Sequence, residues 1–303
     1  MPIQRISTFS VHQRTLTDAG RVQANLVDLQ KQLSSGYKTD NFSGLDGQVE
    51  RFTSIDATLR KTEVYIDNTE VALSRLNTTQ VTMEKLIEVA DDAKNLILLR
   101  RNPSNGESLD FNARMEALKT TAAALLNTTF EGRYIFGGTR TDTAPVISPI
   151  PTPVSTSVPD DSYYVGSTEN LTVRVETGFE LEYNVRADNE GFQKLFAAMA
   201  HGQAGHNGNG NDTILGEAFD NIKSAIEDIN ATQTRVNSNI VIVTDVNERH
   251  SDLKGYLKGL KEGIINTDIV GVSTQIATDQ AVLQGAFQSF ATISRLRLID
   301  FIR

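Results

Sequence analysis

Apolar residues recur in steps of three and four along most of this chain. From Phe52 those steps reach Ile55, Leu59, Thr62, Ile66, Thr69, Leu73, Leu76, Gln80, Met83, Ile87, Ala90, Lys94 and Ile97, and ten of the 14 positions are apolar. A rhythm of about 3.5 residues held for about seven heptads is that of a coiled-coil-like helix seam. A second seam runs from Leu215 through Ala218, Ile222, Ala225, Ile229, Thr232, Val236, Asn239, Val243, Val246, His250, Leu253, Leu257 and Leu260 to Ile264, with 12 of 15 positions apolar. Each predicts a helix of roughly 50 residues, on the order of 75 Å long. A shorter helix is expected between Ser108 and Asn127, with Phe111, Met115, Leu118, Ala122 and Leu125 in the same rhythm. The turn Arg101–Gly106 precedes it, so it should fold back on the first long helix. The pattern predicts a mainly α protein, a helical bundle drawn out into a rod.

Both chain ends carry the same period. At the start the apolar positions are Ile6, Phe9, Leu16, Val22, Leu26, Leu29 and Leu33. At the end Ile269, Val272, Ile276, Leu283, Ala286, Phe290 and Ile293 fall in step, while Val282, Phe287, Leu296, Leu298 and Ile299 lie beside them. One seam cannot bury so many side chains on a segment this short, so the two ends either bury each other incompletely or meet another copy of the chain.

The middle alternates with period two. Tyr134-Ile135-Phe136 before Gly137-Gly138, Ser162–Gly166, and Leu171–Val175 read as strands, and Thr177-Gly178 joins the last of these to Phe179–Val185 as a hairpin. Five of the seven prolines lie between 145 and 159, and none lies between 3 and 102 or after 159. Proline interrupts helices and central strands, so the helical stretches are free of breakers. Residues 201–212, rich in Gly and Asn, are expected to form a flexible loop. The resulting division is 1–47 with 266–303 as a terminal paired-helix domain, 48–138 with 189–265 as a central helical domain, and 139–188 as a β-rich insertion.

Composition narrows the function. The chain has no Cys, which excludes disulfides, thiolate metal sites and a cysteine nucleophile. Its net charge of −9 argues against a general nucleic-acid binder. Residues 1–35 sum to +2 and 269–303 to +1, leaving −12 for 36–268. Near-neutral apolar ends on an acidic body suit ends that pack inside an assembly. No stretch approaches ~18 consecutive apolar residues, so no membrane span is expected, and the first residues lack the apolar run of a cleavable signal. His201 and His206 read as loop residues rather than metal ligands, and His250 as a core or interface histidine. The adjacent Asp91 and Asp92 diverge by about 100° on a helix and cannot act as one acid–base pair. With no catalytic constellation and no cofactor motif, the reading is of a protein that is not an enzyme and holds no metal or cofactor.

Three segments resemble the bacterial flagellin family. Arg5-Ile6-Ser7-Thr8 and Gln30-Lys31-Gln32-Leu33-Ser34-Ser35-Gly36-Tyr37-Lys38 are similar to its N-terminal region. Asn127 through Gly138, with Gly132-Arg133-Tyr134-Ile135-Phe136-Gly137-Gly138, is similar to its turn from helix to β-hairpin. The tail Phe290–Phe301, with Ser294-Arg295-Leu296-Arg297-Leu298-Ile299-Asp300, resembles the branch that joins hook to filament, while Ile302-Arg303 echoes the ending of filament subunits. The chain departs from the family after Gly36, where Asp40–Gly47 replaces an acidic segment containing proline. The resemblance implies paired terminal helices as the assembly interface. It also implies self-association in a ring or helical array, with an adjacent hook-associated protein and flagellin as neighbours. Export would follow the flagellar type III apparatus, with a chaperone at the C-terminal helix, to an extracellular place in the flagellum and without a cleaved signal. A filament subunit and an unrelated coiled-coil scaffold are the alternatives.

Overall fold

A computed structural model describes residues 3–45, 47–102, 110–151, 160–208 and 211–301, with side chains at 3–9, 11–12, 43 and 293–301 outside the description. The described residues form a mainly α protein. Helix α1 spans Ile3–Ser35, α2 Val49–Arg101, α3 Phe111–Leu126, α4 Glu190–Asn207, α5 Asp212–Ile265 and α6 Ile269–Phe301. Strands β1 (Thr129–Phe130) and β2 (Arg133–Tyr134) pair antiparallel, as do β3 (Thr172–Glu176) and β4 (Phe179–Glu182). The chain divides into two compact units, residues 1–60 with 254–303, and residues 61–253.

Helix boundaries follow local chemistry. Gly36 ends α1 at φ +77° and donates its N–H to Gln32 O at 2.8 Å, a left-handed C-cap. Asn189 Oδ1 caps α4 by accepting the Gly191 N–H, and Asp268 Oδ1 caps α6 by accepting those of Val270 and Gly271. Asn211 Oδ1 accepts the N–H groups of Thr213 and Ile214 at the start of α5. The β1–β2 turn places Glu131 and Gly132 at positive φ, as a two-residue hairpin turn requires.

In the 61–253 unit α2 and α5 run antiparallel. Thr69 Oγ1 donates to Asn247 Oδ1 at 3.0 Å, and Arg101 pairs with Asp212 at 2.8 Å. Every α5 seam position from Leu215 to His250 is buried. The α2 seam is accompanied by a second buried row, Ala72, Thr79, Leu86, Val89, Ala93 and Leu96. Two buried rows on one helix mean neighbours on two sides, and the same core takes in Phe111 and Met115 of α3, Phe192 and Phe196 of α4, and Phe136, Tyr163 and Val175 from the β region.

Polar positions of the α5 seam hold the β3–β4 hairpin. Asn239 Nδ2 donates to Glu182 O at 3.1 Å. His250 Nε2 lies 2.7 Å from Val175 O, and its ring stacks on Tyr65. Because the carbonyl can only accept, His250 carries its proton on Nε2. Ser162–Gly166 forms no ladder, only the isolated Val146–Tyr164 bridge.

The expected loop at 201–212 is instead helix through Asn207. Its glycines serve contact rather than freedom: a Cβ on Gly202 would sit 3.2 Å from Ile97 Cδ1, and one on Gly205 3.1 Å from Leu215 Cδ2. His201 is buried with Nε2 3.0 Å from Glu217 Oε2. His206 stacks on Phe111 and accepts a hydrogen bond from Arg100 Nε at 2.6 Å. Burial and the Arg100 charge hold the His206 pKa below the usual imidazole value.

Candidate assembly interface

In the unit made of 1–60 and 254–303, α1 and α6 pack antiparallel. Thr267 Oγ1 donates to Gln32 Oε1 at 3.2 Å near one end, and Asn25 Nδ2 donates to Asp279 Oδ2 at 2.7 Å further along. The joint where α1 ends and α6 begins is made by backbone. Lys38 N–H donates to Ile265 O at 2.8 Å, Thr267 N–H donates to Gly36 O at 2.9 Å, and Tyr37 bridges Asn266. Beside it, Leu45, Ile55, Leu59, Leu257 and Ile264 form a separate small core. Lys261 there pairs with Asp56 at 2.5 Å and lies over the Phe52 ring. Lys261, and after it Arg60, hold the Asp56 carboxyl below the usual carboxylate range.

The apolar residues of α1 and α6 fall into two sets. Leu26 is buried, and Val22, Leu29, Val272, Ile276, Leu283 and Phe290 are half-buried. Leu16, Leu33, Ile269 and Phe287 are exposed. The predicted positions Ile6, Phe9, Ile293, Leu296 and Leu298 lie outside the described side chains. Exposed beside the predicted set are Val27 at 60%, Val270 at 77% and Val282 at 51%. Leu16 and Val27 are about three turns apart and share one face of α1, as Ile269 and Phe287, about five turns apart, share one face of α6. Off-seam valines leave no mark in a seam count, so Val27 and Val270 escaped it. The visible signal was the total apolar content of the two ends.

A buried carboxylate interrupts the apolar seam. Asp279 is 7% exposed, with Oδ1 accepting from Gln275 Nε2 at 2.8 Å and Oδ2 from Asn25. These bonds compensate a group that would otherwise be costly to bury. It stands in step between Ile276 and Leu283, where a seam drawn through apolar residues alone passes over it. Among the described residues no group of three or more His, Asp or Glu is placed to hold a metal, and no helix is long and apolar enough to cross a membrane.

Residues 6–141 match the family of the bacterial flagellin N-terminal helical region. Over that stretch the chain is similar to the bacterial flagellin family. The match takes in nearly all of α1, with α2, α3 and the β1–β2 hairpin, so one side of the terminal pair lies within it. Two solved structures share the fold. One is described as a flagellar hook-associated protein from Vibrio parahaemolyticus, at 15% identity and TM-score 0.58, covering 74% of this chain and 98% of that one. The other is Bacillus cereus FlgL, at 17% identity and TM-score 0.56, covering 69% and 98%. No curated protein matches the chain.

Proposed function

We propose that this protein is a structural subunit of the bacterial flagellum and forms the hook-filament junction ring between a hook-associated protein and the flagellin filament. The observation that carries the reading is the apolar surface left open on the α1–α6 pair, Leu16, Val27, Ile269, Val270, Val282 and Phe287. Apolar patches of this kind on an otherwise charged protein mark contact with other chains. The flagellin-family stretch at 6–141 supports a place in the flagellum, and the fold shared with two hook-associated relatives supports the junction over the filament. In this reading 1–47 and 266–303 form the assembly domain, copies of the chain meet through it, and 139–188 faces outward. Export proceeds through the flagellar type III apparatus.

The test is position and dependence. Immunogold against this chain on isolated flagella should label the hook–filament boundary, and removal of residues 269–303 should release filaments while leaving the 61–253 unit folded by circular dichroism. Label along the whole shaft would assign the chain to the filament instead. Normal filament attachment after the deletion would overturn the assembly role.

A further inference from the structure

The last turn of an α-helix ends in carbonyls that the helix itself cannot bond. In α5 these are the carbonyls of Glu262, Gly263, Ile264 and Ile265. Glu262 O accepts the Asn266 N–H at 2.8 Å. The other three are met by a single residue from the far side of the sequence. Lys38 Nζ donates to Gly263 O at 3.3 Å and to Ile264 O at 3.2 Å, and Lys38 N–H donates to Ile265 O at 2.8 Å. Lys38 lies 225 residues before Gly263, and all of these groups belong to the unit of 1–60 with 254–303.

Helix α5 has no cation of its own for this end. Its last turn carries no basic residue, and Glu262 has the sign that the negative end of a helix disfavours. Lys261, one residue earlier, pairs with Asp56, and Lys31 of α1 pairs with Asp40. Lys38 pairs with no carboxylate among the described residues; its ammonium faces carbonyls instead. A cation at a helix C-terminus is favourable, and an ammonium with three donors can serve two carbonyls at once.

The residues before Lys38 hold the other side of the same turn. Gly36 O accepts the Thr267 N–H at 2.9 Å, and Tyr37 bridges Asn266. We infer that Lys38 is the positioning residue of the terminal helix pair. Its ammonium caps α5, its N–H ties the segment leaving α1 to that cap, and α6 starts only three residues on, at Ile269. One charge thereby fastens the ends of α1 and α5 and the start of α6 into a single joint. Lys38 is itself exposed, and backbone bonds at such an edge compete with water, so the charge decides whether the joint stays closed. The part Lys38 plays in assembly rests on the junction reading above; the joint does not.

Amide hydrogen exchange on the full chain tests the joint. Lys38→Met keeps the apolar stem and removes the charge. Protection of the Asn266 and Thr267 amides and of the amide at position 38 should fall about three- to tenfold, while amides of the 61–253 unit keep their wild-type rates. Lys38→Arg should hold protection within about twofold, because the site takes a cation and not a fixed planar fork. Lys38→Met combined with Glu262→Lys places a cation on α5 itself. It should return Asn266 to the wild-type rate and leave Thr267 exchanging fast. Unchanged exchange in Lys38→Met, no rescue by arginine, or full recovery of Thr267 in the double variant would overturn the joint. For assembly, flagella built with Lys38→Met should shed filaments under shear that leaves wild-type and Lys38→Arg filaments attached. Equal retention would overturn the part of Lys38 in assembly, whereas immunogold label away from the junction would overturn the junction reading and leave the exchange result standing.

Discussion

Helix α5 and the α1–α6 pair carry the same three-four rhythm of apolar residues, and they put it to different ends. Along α5 every seam position from Leu215 to His250 is buried. On α1, among the side chains described, Leu26 alone is buried, while Leu16 and Val27 face outward. The difference lies in the neighbours. Within its unit α5 shares a core with three other helices and the β region, whereas α1 packs on α6 and leaves its far side open. A heptad rhythm therefore specifies that a helix will be packed, and the rest of the chain decides whether the packing is finished within one molecule.

The comparison breaks most clearly in the core. Phe192 is fully buried, with its ring edge-on to Phe136. Phe192→Ala should cost about 3–5 kcal/mol in denaturant unfolding. Phe287→Ala, which removes a ring of the same size from the surface of α6, should change monomer stability by less than about 0.5 kcal/mol and register only in assembly. Similar losses at the two sites would mean that the terminal pair is as closed as the core.

Glycine sharpens the contrast. A Cβ on Gly191 would meet Ile229 Cγ1 at 2.9 Å and the Ile229 backbone N at 3.0 Å, whereas Gly259 has nothing within 4 Å. Gly191→Ala should destabilise by about 1–3 kcal/mol through overpacking. Gly259→Ala should stabilise the monomer by about 0.5–1 kcal/mol through helix propensity. Urea midpoints of the two variants decide the matter, and equal signs would contradict the contrast.

These residues also show what could be read in advance. The long helices were legible because a period near 3.5, uninterrupted by proline, leaves little alternative, and the β3–β4 hairpin was legible from its alternation about Thr177-Gly178. Helix α4 was not. Gly202, Gly205 and His206 look like loop composition, and only the closeness of Ile97, Leu215 and Phe111 shows that small size was the requirement. The second buried row of α2 lies off the apolar seam and includes a polar residue, Thr79; Thr79 and its neighbour Thr82 are both buried and return their hydroxyl protons to Arg75 O and Thr78 O. In the candidate interface the seam residues were legible, but Asp279 was not, because its cost is offset by Asn25 and Gln275, which no periodicity announces.

The smallest expected effect separates the two units by pH. His206 in the 61–253 unit accepts from Arg100, so protonation removes an acceptor and sets two cations together. Its folded pKa is lowered by burial and then by Arg100, so the unfolded chain binds the proton more readily. Its contribution to stability is thus whole above about pH 6.5, the unfolded value, declines as pH falls toward the folded pKa, and is constant below that. Asp56 in the other unit is lowered by Lys261 and Arg60. Its contribution is whole above about pH 3.8 and is lost only as pH falls further, through the folded value. Between pH 7.5 and 5 the His206 response should therefore come from the 61–253 unit alone. Urea midpoints of wild type and His206→Asn at those two pH values measure it: the wild type should lose more stability than the variant. Equal losses would show that Arg100 and His206 are not coupled, and would leave the two units without this distinction.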